Sequence, residues 1–100
     1  MSLEKHILLI VHTDVAPEME EEFNRWYNEE HIPRLLRVPG VLWAKRGMNT
    51  GEGQKYIAVY EHASGEVQKT AAYKEALETD WTHKIRPYLL NFTREIYELL

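Results

Sequence analysis

The sequence predicts an α+β fold: a ferredoxin-like β-α-β-β-α-β sandwich in which two helices cover a four-stranded antiparallel sheet. Three observations point there. β-rich and helix-periodic segments follow one another in that order, a short glycine-containing link joins the two middle strands, and the first strand is almost continuously apolar. One hundred residues are read as a single domain spanning 1–100.

Residues 5–13 form the first strand, with the run Ile7–Val11 between polar ends. A run apolar at every position belongs to a strand covered on both faces. Pro17 suits the first turn of a helix, and Glu18, Glu20, Glu21 and Glu22 complement its positive end. Met19, Phe23, Trp26, Tyr27, His31 and Leu35 then recur at helical spacing. Pro33 has no N–H and disfavours α geometry at Ile32, so the helix is expected to end or kink near His31, with one more turn over 34–37 before Pro39-Gly40.

Residues 41–49 and 55–62 read as a hairpin closed by Asn49-Thr50-Gly51-Glu52-Gly53. Ser64 is a helix N-cap. The apolar register then jumps between Ala71 and Tyr73, which predicts a break near Thr70 with that residue as a second cap. Thr79 or Asp80 begins a further turn through Lys84, and Pro87 stops it. Residues 88–99 are the last strand, with Leu90, Phe92 and Ile96 expected on one face and Leu89, Thr93 and Tyr97 on the other. Two helices cover one face of such a sheet, so its other apolar face predicts a homodimer built across a two-fold axis.

Composition excludes several functions. Net charge is −4, with no basic stripe, so nucleic acid is not an expected partner. No apolar run is long enough to span a bilayer, so no membrane partner is expected. The opening MSLEKH has an acid and no apolar core, unlike a signal peptide. Cysteine is absent, which removes disulfides, thiolate metal sites and a cysteine nucleophile, and fits a cytoplasmic location.

The pattern Phe23-x-x-Trp26-Tyr27-x-x-Glu30-His31-x-Pro33-x-Leu35, followed by Pro39-Gly40, resembles the dimeric α+β barrel superfamily. It is closest to the EthD-like and muconolactone-isomerase-like small proteins. Residues 56–61 and 81–87 fit the same resemblance. The superfamily includes lactone isomerases, polyketide cyclases, cofactor-free oxygenases and haem-degrading enzymes, so the resemblance implies fold and dimerisation more than reaction. It also implies a histidine at the position of His31.

His31 is accordingly the leading catalytic candidate. It continues the apolar helix face, near carbonyls freed by Pro33. The helix dipole there favours imidazolium and burial opposes it, so its charge stays open. A structural histidine bonding those carbonyls is the alternative. Trp26 and Tyr27 are candidate pocket walls for a planar substrate, although neighbours on a helix cannot both point squarely inward. Tyr60 and His62 share one face of the third strand. They join the catalytic set if that face meets the helices, and are interface residues otherwise. Tyr73 and Trp81 are candidates to close the pocket from the second helix, or else to pack it.

Arg34, Arg37 and Arg86 are either a cationic rim or a solvated helix end. His83 is read as a surface residue. His12, His31 and His62 lack any metal-ligand spacing, so no metal is expected. The expectation is an enzyme without a cofactor, of isomerase, cyclase or dehydratase type, acting on a cyclic or aromatic oxygenated molecule. The competing readings are a non-catalytic small-molecule-binding or accessory homodimer and a haem-binding oxygenase.

Overall fold

A computed structural model describes residues 5–100; Met1–Glu4, the first part of the opening stretch, lie outside it. Strands β1 (Ile7–Val15), β2 (Val41–Met48), β3 (Tyr56–His62) and β4 (Leu89–Glu98) form one antiparallel sheet in the order β2-β3-β1-β4. Helices α1 (Glu20–Trp26), α2 (Ile32–Leu36), α3 (Ala71–Leu77) and α4 (Asp80–Ile85) pack on one face.

Alternation decides which residues meet the helices. Ile7, Leu9, Val11, Thr13 and Val15 of β1 are buried, as are Tyr56, Ala58, Tyr60 and His62 of β3. The residues between them, including Leu8, Ile10, Ile57 and Val59, face the open side and are only half-buried. The face of β3 left undecided by sequence is therefore the helix-covered one.

Pro33 does not end the first helix. A π turn, Tyr27–His31, joins α1 to α2, and Ile32 N–H bonds back to the Tyr27 carbonyl. The wider turn shifts the hydrogen-bond register so that Pro33 falls in the first turn of α2, where no N–H is needed. Thr70 and Thr79 cap α3 and α4, accepting from Tyr73 N–H and Thr82 N–H. Gly40 takes φ +94°, where a β-carbon would also lie 2.5 Å from a Val67 methyl, so the turn into β2 requires glycine.

The last strand corrects a second expectation. Asn91 adopts φ +52°, and the pairing with β1 shifts between His12 and Asp14. This irregularity puts Leu89, opposite buried Val15, on the same side as Phe92, while Leu90 falls on the open side with Thr93 and Tyr97. No helix among the described residues is long and apolar enough to cross a membrane.

Candidate functional site

Between the helices and the β1–β4 side of the sheet lies a cavity of about 700 Å³, open toward β4. That size is typical of small-molecule sites. Of the residues singled out from sequence, Trp26, Tyr27, His31, Tyr60 and Tyr73 line it; His62 and Trp81 do not.

Trp26 and Tyr27 both line the cavity, at 3% and 5% exposure. The π turn that begins at Tyr27 places His31 one turn further on, against both rings. The His31 ring stacks on Trp26 at 4.3 Å and meets Tyr27 edge-on at 5.1 Å. Trp26 is itself held: its indole N–H donates to Thr82 Oγ1 at 3.1 Å, the Thr82 and Thr79 hydroxyls share a 2.9 Å bond, and Thr79 donates to Glu30 at 2.8 Å. The aromatic wall is therefore tied to the α4 N-terminus.

Burial decides the charge of His31. Desolvation, then the charges of Arg86 and Arg46, lower its pKa to about 4, so the ring is neutral at pH 7. The structural alternative, a histidine bonding freed carbonyls, is not what forms. Nδ1 is sealed and has no hydrogen-bond partner among the described residues, which leaves Nε2 as the nitrogen toward the cavity. Among the described residues neither a carboxylate nor a carbonyl tunes the ring.

Two phenols face the same space. Burial pushes Tyr27 up to about 12, and Tyr60 well above its ordinary value. Their hydroxyls interact with each other, and the Arg46 guanidinium sits 4.4 Å over the Tyr27 ring. Both phenols stay protonated near neutrality and are donors rather than bases.

His62 is completely buried, with both ring nitrogens lacking a hydrogen-bond partner among the described residues. It meets Tyr73 edge-on at 5.6 Å and supports that residue from behind instead of entering the cavity. Trp81 sits on α4, packed against the core with the Arg25 guanidinium 5.8 Å from its ring. The turn expected from Thr79 or Asp80 forms as the separate helix α4, so Trp81 and Tyr73 lie on different helices. Arg34 caps carbonyls, donating to Ala76 and Glu75 at 3.1 and 3.0 Å, and with Arg37 lines a separate small hollow. Arg86 alone of those three arginines borders the main cavity. His83 is exposed.

Sequence reasoning missed Phe92, Arg94, Lys69 and Lys74 as cavity residues. No local signal marks them, because they converge only when β4 passes opposite α3. His12 lies on the open face, away from His31 and His62. Among the described residues no three His, Cys, Asp or Glu side chains gather as a metal-binding group.

No family model matches the chain, and no curated protein is similar to it. Solved structures are. A proposed antibiotic biosynthesis monooxygenase from Nitrosomonas europaea superposes with a TM-score of 0.72 at 15% identity, over 100% of this chain and 95% of that one. SnoaB, a cofactor-independent oxygenase from Streptomyces nogalater, gives 0.63 at 14%, over 95% and 93%. An EthD-family protein from Bacillus halodurans gives 0.59 at 18%, over 95% and 99%. At such identities the likeness is one of fold: this chain shares with them a four-stranded antiparallel sheet covered by helices.

Proposed function

We propose that the chain is an enzyme that moves a proton on a small cyclic or aromatic oxygenated molecule, using its own side chains. The observation that carries this reading is His31: a neutral imidazole stacked on a fixed indole, with one nitrogen sealed and the other toward an open cavity. In this mechanism Nε2 takes a proton from an activated carbon, and the Tyr27 and Tyr60 hydroxyls donate to the oxygen on which negative charge develops. The apolar walls exclude water, which strengthens those hydrogen bonds. Isomerisation, cyclisation and dehydration all need only this step and correct positioning.

The test follows solvent deuterium entering cyclic 1,3-dicarbonyl and phenolic candidates by NMR. Incorporation is expected with the native protein. On the substrate so identified, His31→Ala is expected to lower turnover by about 10²–10⁴-fold. Full activity in that variant overturns the assignment. Cofactor-independent oxygenation is a second reading, favoured by the name of the Streptomyces neighbour. It would show as oxygen uptake that also depends on His31.

The assembly we infer is a homodimer through the open sheet face. Leu90 and Tyr97 on that face are 46% and 48% exposed, beside half-buried Leu8, Ile10 and Val59. A second copy would bury this surface. Sizing chromatography should give twice the 11.9 kDa chain mass; elution as a monomer contradicts the dimer.

A further inference from the structure

The charge around the cavity runs opposite to that of the chain. The protein has 16 acidic and 12 basic residues, yet among the described residues the cavity is bordered by Lys69, Lys74, Arg86 and Arg94 and by no aspartate or glutamate. Two of these cations are answered outside: Lys69 pairs with Glu66 at 3.3 Å and Arg86 with Glu78 at 3.6 Å. The other two are not. Arg94 donates to the neutral amide oxygen of Gln68, and neither Arg94 nor Lys74 has an ion pair among the described residues.

These two cations sit on facing elements, Arg94 on β4 and Lys74 on α3, with Tyr73 beside them. Below them the walls are apolar: Leu9, Val11, Leu77 and Phe92 join the aromatic group around His31. An uncompensated guanidinium bordering a cavity walled by apolar and aromatic side chains is suited to a carboxylate on a hydrophobic body.

We propose that the ligand is an organic anion, with an apolar planar or cyclic body inside the cavity and a carboxylate held at its mouth by Arg94 and Lys74. This rests on reading the cavity as a ligand site and adds the class of molecule that fills it. It also bears on His31. Burial first, and then the charges of Arg86 and Arg46, hold that ring neutral; an anion arriving in the cavity offsets the charge contribution and so raises the basicity of His31 when the site is occupied.

The probes are 2-naphthoate and its neutral isostere 2-naphthamide, titrated calorimetrically into the full chain at low salt. The naphthoate is expected to bind at least about tenfold more tightly. That preference should fall to near unity in Arg94→Gln and shrink in Lys74→Gln, with the circular dichroism of both variants unchanged. Equal binding of the two probes, or a preference untouched in both variants, overturns the anion assignment and leaves the cavity reading standing. Binding of neither probe overturns both.

Discussion

The helix-facing side of the sheet has a filled half and a hollow half. Over β3 the space is occupied: Phe23 is completely buried, and its ring has Tyr56 and Tyr27 at 5.0 and 5.1 Å. Over β4 the inward residues remain uncovered, Phe92 at 49% and Ile96 at 48% exposure. Both halves belong to one layer, built from the same apolar alternation. The difference arises because the helices stop short of the β4 edge. The filled half supplies stability, and the hollow half, bordered by His31 and the free cations, supplies a place for a ligand.

The largest test of that division compares two phenylalanines. Phe23→Ala should cost about 3–5 kcal/mol in urea unfolding, because it opens a void in closed packing. Phe92→Ala should cost less than about 1 kcal/mol, since its ring is already half in water, while weakening ligand binding. Similar losses at both sites would break the comparison.

The next effect is on pH. His31 has a folded pKa of about 4, below its ordinary 6.5, so the unfolded chain takes up a proton first as pH falls. Stability is then complete above pH 6.5 and declines toward pH 4, by at most about 3 kcal/mol from this residue. Buried His62, whose pKa is also lowered by burial, acts in the same direction. Urea midpoints between pH 4 and 7 should fall for the native chain and fall less for His31→Leu. Equal pH dependence in the two would show that His31 titrates normally.

A smaller effect sharpens the wall between the halves. Thr82→Val removes the acceptor of the Trp26 indole, and should cost about 1–2 kcal/mol in unfolding. It should also loosen the Trp26–His31 stack, seen as a shift of the His31 ring protons toward solvent values.

Much of the filled half is legible in sequence. The alternation along residues 7–13 and 56–62, the two threonine caps, and the break between α3 and its predecessor follow from local rules. The hollow half is not, for physical reasons that can be named. A π turn is one way to accommodate Pro33, and nothing local distinguishes it from a helix end. Yet it sets where His31 falls against Trp26 and Tyr27. The reversal of Leu89 depends on a single residue, Asn91, entering the left-handed region. The cations of the mouth are 20 residues apart in sequence, at Lys74 and Arg94, and meet only through the sheet order. The further turn expected from Thr79 or Asp80 forms as α4, and it carries Trp81 away from the cavity that Tyr73 lines.

The most direct measurement is NMR mapping of 2-naphthoate binding on the isotopically labelled chain. The account predicts that His31, Phe92 and Arg94 resonances move together as the probe is added, and that the His31 imidazole titrates at higher pH in the complex. Shifts confined to the open face, at Leu8, Ile10 and Val59, or an unmoved His31, would contradict it.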